Sequence, residues 1–166
     1  MKCQNSEFLK LSKDILEKGF SLRFQVRGAS MYPFIKSGDT VEIEPKNISK
    51  INYADIILYS NYEGKIVIHR VVKKIKKNNE TILATRGDFL PLSLREFVPS
   101  EKVLGKVVVI RKANRMFRID RGFLRLLNIV YTKLLPIIRW GHSFGAKLLK
   151  FTPSPRKLPL TLHRGG

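Results

Sequence analysis

Between Phe20 and Lys112 the chain is divided into six short runs rich in β-branched and aromatic residues: Leu22 to Val26, Thr40 to Glu44, Asp55 to Ser60, Lys65 to Ile75, Thr81 to Thr85 and Val103 to Arg111. Turn-forming residues separate them, namely Gly38-Asp39, Pro45-Lys46-Asn47, Asn61 to Gly64, Asn78-Asn79 and Leu90-Pro91, and no long helical pattern intervenes. Short strands without interleaved helices build an antiparallel sheet, so the expected fold class is mainly β. The Asn78-Asn79 turn, flanked by Lys73, Lys74, Lys76 and Lys77, is expected to be a solvated hairpin tip.

Two polar residues sit where chemistry would need them. Ser30 lies in Gly28-Ala29-Ser30-Met31-Tyr32-Pro33, a turn that follows the first strand and exposes the hydroxyl. Serine is a weak nucleophile at neutral pH and needs a positioned base. His69 is the candidate base, because it interrupts the apolar strand Ile66-Val67-Ile68-His69-Arg70-Val71-Val72. An unperturbed imidazole, with a pKa near ~6.5, is neutral at physiological pH without strong desolvation. The bland alternatives are a turn serine and a hydrogen-bonded core histidine.

Gly28-Ala29-Ser30-Met31-Tyr32-Pro33, Gly38-Asp39-Thr40-Val41-Glu42-Ile43, Asp55-Ile56-Ile57, His69-Arg70-Val71, Thr85-Arg86-Gly87-Asp88 and Leu104-Gly105-Lys106-Val107-Val108 occur in that order. Together they resemble the signal peptidase I family, in the branch that uses histidine where leader peptidases and self-cleaving SOS repressors use lysine. The resemblance implies a signal-peptidase-like catalytic β-domain and a serine endopeptidase that cuts a leader or precursor peptide after a small residue. In that scheme Ser30 attacks, His69 takes its proton, and Asp88 orients and stabilises the imidazole. Met31 and Pro33 would line the substrate cleft, and the backbone N–H of Ser30 would face the oxyanion. One departure follows Asp88. Relatives carry a second aspartate there, whereas this chain continues Phe89-Leu90-Pro91-Leu92-Ser93-Leu94.

The flanks have a different composition. Residues 1–19 are expected to hold an amphipathic helix over Ser6 to Lys18, with Phe8, Leu11, Ile15 and Leu16 on its apolar face and Gly19 ending it. The catalytic β-domain is expected over 20–112, a basic amphipathic helical extension over 113–151, and a disordered Pro-containing tail over 152–166. In the extension Leu127, Tyr131, Leu134 and Ile138 share a helical face, and Pro136 would kink or split that helix.

Charge sets the expected partners. The chain carries 32 Lys+Arg against 13 Asp+Glu, and residues 111–166 contribute 13 of the cations and one acid, Asp120. That excess attracts polyanions. With Trp140 and Phe144 nearby, it suits an anionic membrane surface better than nucleic acid. No secretory leader or spanning segment is apparent, and Cys3 is the only cysteine, so the expectation is a peripheral protein on the cytoplasmic side. No cofactor or metal site is expected, since His142 and His163 have no neighbouring ligand residues. The competing class is a non-catalytic or regulatory β-domain whose basic tail binds membrane or nucleic acid.

Overall fold

The computed structural model describes residues 2–77, 80–113 and 115–149, with side chains described for 6–77, 80–113 and 115–136. The chain divides into two units, Met1–Leu135 and Pro136–Gly166. The first holds the helix α1 (Lys2–Glu17), eight strands, and the start of the helix α2 (Gly122–Leu149). Of the second, the helical backbone of 136–149 is described. The Asn78-Asn79 tip, the side chains of Trp140 and Phe144 and the tail 152–166 lie outside the described residues.

The strands are β1 (Leu22–Gln25), β2 (Thr40–Pro45), β3 (Ile56–Ser60), β4 (Ile66–Lys77), β5 (Glu80–Arg86), β6 (Glu96–Pro99), β7 (Val103–Lys112) and β8 (Arg115–Arg118). All pairings are antiparallel, in the order β1-β2-β7-β3-β4-β5-β6, with β8 against β7. The mainly β expectation and its six strands are present. β6 and β8 are additions, four-residue strands that gain their pairing from β5 and β7. β8 carries the sheet past residue 112, where the domain was expected to end.

The central strand β3 is buried on both faces, which is why it reads as an unbroken apolar run and not as an alternation. Ile56 and Leu58 join a core with Ile35, Val41, Ile43, Val107 and Ile110. Ile57 and Tyr59 join a second core with Ile51, Val71, Leu83, Val98 and Val103. Because side chains alternate along a strand, neighbouring β4 sends His69 to the second core's side and Arg70 to the first.

α1 packs on the first core through Leu16, Ile15 and Leu9, and Phe8 meets Phe24 edge-on at 5.2 Å. Its end is a Schellman cap: Gly19, at φ +85°, donates to Leu16 O at 3.1 Å, and Phe20 donates to Ile15 O at 3.1 Å. Leu11 is exposed, contrary to expectation, and Ser12 is buried. The packed residues 8, 9, 12, 15 and 16 centre on Ser12, and one residue's step of about 100° carries Leu11 out of that face.

α2 meets the domain through its start. It runs on through Pro136 as one helix, and its first half docks by its polar side: Asn128, Thr132 and Leu135 are buried. Leu127 and Leu134, expected to share a helical face, are exposed with Phe123, Leu126 and Val130. The reason lies in the turn before β3. Asn128 Nδ2 donates to Ala54 O at 3.0 Å, and Arg125 donates to the buried Asp55 carboxylate at 2.6 Å. Buried polar groups need partners more than leucines need cover.

Candidate active site

Ser30 leaves the first strand on a turn opened by Gly28, whose φ of +112° suits glycine. The turn is tied to the loop after β5, where Phe89 N–H donates to Ser30 O at 2.9 Å. Gly87 allows that approach. A Cβ there would stand 2.6 Å from Ser30 O and 3.1 Å from both His69 Nε2 and Leu90 Cδ1. The imidazole Nε2 therefore points toward the serine turn. No hydrogen bond joins Ser30 Oγ to His69 among the described residues, a contact that commonly tightens only when substrate is bound.

Ser30 and His69 line one cavity of about 790 Å³. Phe24, Val26, Met31, Ile66 and Ile68 give it apolar walls, with Arg27, Lys65 and Glu96 also lining it. β1 and the start of β4 are not hydrogen-bonded neighbours, so the cavity is made where the sheet brings them face to face. Met31 is buried in its wall. Pro33 is exposed and does not line it, because Ile35 N–H donates to Met31 O at 2.9 Å and the turn so closed carries Pro33 outward.

Burial lowers the His69 pKa below that of a free imidazole, against the opposing pull of Glu96 and then Asp88. The ring is thus neutral and able to accept a proton at physiological pH. Its Nδ1 lies 2.9 Å from Tyr59 Oη, and Tyr59 donates in turn to Glu96 Oε2 at 2.5 Å. Burial, reinforced by the bond to Glu96, pushes the Tyr59 pKa far up, so the phenol keeps its proton.

Asp88, expected against the imidazole, is committed elsewhere. Its two oxygens accept from Arg70 Nε at 2.8 Å and Nη2 at 2.7 Å, in a pair that is fully buried. Arg70 also donates to Ala54 O at 3.1 Å and to Asn128 Oδ1, and stacks over the Phe34 and Tyr131 rings at 4.5 and 5.3 Å. Asp88 acts on His69 through its charge, while Tyr59 holds the hydrogen-bonding position. Residues 89–94 supply no carboxylate; Glu96, brought in by β6, supplies the one that holds Tyr59. Tyr59, Glu96, Arg70 and Asn128 escaped the sequence reading. The one available signal for Tyr59 was register: Ile57 pairs with His69, which sets Tyr59 diagonally beside it on the same face.

The crowding around Gly87 predicts its own mutant. Gly87→Ala must displace either the Ser30 turn or the imidazole, and a shift of about 1 Å in a reacting group costs on the order of 10²-fold in rate. Overpacking of this kind costs ~1–3 kcal/mol of stability. Parallel measurement of kcat/KM and of the denaturation midpoint should show activity falling much further than stability. Unchanged activity would mean that the turn and ring do not work together.

The β-scaffold thus brings a loop serine and a strand histidine, carried by separate elements, to one cavity. The Peptidase S24-like family matches residues 2–108, and the chain belongs to that family, the self-cleaving peptidases related to signal peptidase I. It is a serine peptidase by that membership. No curated protein matches the chain.

Proposed function

We propose that this peptidase cuts a leader or precursor peptide after a small residue while held at an anionic membrane surface. The observation that carries the catalytic part is the shared cavity of Ser30 and His69, with Nε2 turned to the serine turn. Ser30 Oγ attacks the scissile carbonyl as His69 Nε2 takes its proton. The Ser30 N–H donates to the oxyanion, and the imidazolium returns the proton to the departing amine. Water, activated by the same nitrogen, then hydrolyses the acyl ester. A cavity of about 790 Å³ accommodates a short extended segment of apolar character, and the preference for a small residue follows from the likeness to signal peptidase I.

Support for the surface comes from α2. Phe123, Leu126, Leu127, Val130 and Leu134 form an exposed stripe at helical spacing, beside Arg121 and Lys133 in a stretch whose net charge is strongly positive. An apolar stripe edged by cations suits the acyl boundary of an anionic bilayer. Among the described residues no helix is long and apolar enough to cross a membrane.

The test is product mapping by mass spectrometry. A synthetic leader peptide with one small residue before the scissile bond should be cut once, after it, and faster with anionic vesicles than with neutral ones. Cleavage indifferent to that residue would remove the specificity. A rate and sedimentation indifferent to anionic lipid would remove the surface.

A further inference from the structure

We propose that Tyr59 and Glu96 are a positioning pair that holds His69 in the tautomer with its proton on Nδ1 and its lone pair on Nε2. The catalytic consequence rests on the peptidase function proposed above; the tautomer itself does not.

Tyr59 belongs to β3 and His69 to β4, and pairing of Ile57 with His69 places the phenol diagonally across on the same face. Glu96 opens β6, in register with Thr85 of β5. Thr85 Oγ1 lies 3.4 Å from Tyr59 Oη and 3.3 Å from Glu96 O, so the phenol is fixed from two strands. Tyr59 is fully buried, and a phenol locked in that way is no accident of surface packing.

The proton count decides the tautomer. A phenol has one proton, and a carboxylate can only accept. With Tyr59 donating to Glu96 Oε2 at 2.5 Å, the phenolic oxygen is left to accept at the 2.9 Å contact with the ring. Nδ1 must then carry the hydrogen. That leaves Nε2 unprotonated on the side of the Ser30 turn, where a base is needed. No proton leaves Nδ1 or Tyr59 during catalysis; the imidazole gains one at Nε2, and the polarised phenol passes part of the Glu96 charge to the imidazolium. An aspartate usually does this directly, but here Asp88 is bound by Arg70. The charged and titratable groups facing the ring or its cavity are Tyr59 from β3, Glu96 from β6, Asp88 after β5, and Arg27 and Lys65 at the cavity wall.

The experiment is 15N NMR of the full chain labelled on histidine, with the His69 signals identified by their loss in His69→Gln, followed by pH–rate profiles. Wild-type His69 should show a protonated Nδ1 and a bare Nε2. Tyr59→Phe should lose that preference and lower kcat on the order of 10²-fold with little change in KM. Glu96→Gln keeps an acceptor for the phenol, so the tautomer should persist. Its lost charge should move the acid limb of kcat/KM to lower pH and reduce kcat. A protonated Nε2 in the wild type, or Tyr59→Phe with an unchanged tautomer, would overturn the proposal. Should Tyr59→Phe not fold, Glu96→Gln decides alone, since an unmoved acid limb contradicts the pair. If wild type cuts no peptide, the catalytic reading fails while the NMR result still judges the tautomer.

Discussion

Ser30→Ala should lower kcat/KM on the order of 10⁴-fold or more, because nothing else in the cleft replaces the attacking oxygen. The same change should leave stability within about 0.5 kcal/mol, since among the described residues the Ser30 side chain has no hydrogen-bond partner and it sits in a partly exposed turn. His69→Ala should cost a similar factor. Nucleophile and base act as one unit, so the double mutant should be no slower than either single mutant. Steady-state rates on a cleavable leader peptide, with denaturation curves for each variant, make the comparison. Turnover by Ser30→Ala at more than a few per cent of wild type would mean that another group performs the chemistry.

Arg70→Met should be the most damaging change to stability, by ~3–5 kcal/mol, because it leaves the Asp88 carboxylate buried without its partner. Asp88, Arg70 and Asn128 are all almost wholly inaccessible to solvent. By contrast, exposed pairs such as Lys13–Glu17 contribute at most ~1 kcal/mol. Combining Arg70→Met with Asp88→Leu should recover part of the loss, since removing both charges also removes both desolvation penalties. Guanidinium denaturation with a check on the slope is the measurement. A loss below about 1 kcal/mol would show that water reaches Asp88 and that the pair is not a buried one. Hydrogen exchange of 122–135 should quicken in the same variant, because Arg70 Nη1 donates to Asn128.

The strands that carry the site were legible because each obeys a local rule. β-branched runs bounded by Gly, Pro and Asn mark β1 to β5 and β7, and one histidine inside such a run marks the candidate base. β6 and β8 obey no such rule: four residues on a sheet edge, with a proline in β6 and two arginines in β8, become strands only because a neighbour offers its backbone. Glu96 was hidden for that reason. The partners of Arg70 were hidden by distance, since Asn128 lies 58 residues away, and no periodicity reports such a contact. For α2, hydrophobicity revealed an amphipathic helix but not which side would face the sheet. Asn128 and Thr132 decide it: they are buried, and Asn128 meets buried polar groups that leucines cannot satisfy.

The likeness to other peptidases ends at residue 108, yet the wiring of the catalytic domain extends twenty residues further. Asn128 completes the solvation of an arginine whose other hand grips the loop behind the nucleophile. The start of the appended helix is therefore a structural organ of the peptidase, and any substitution along it has to be reconciled with the geometry of Asp88.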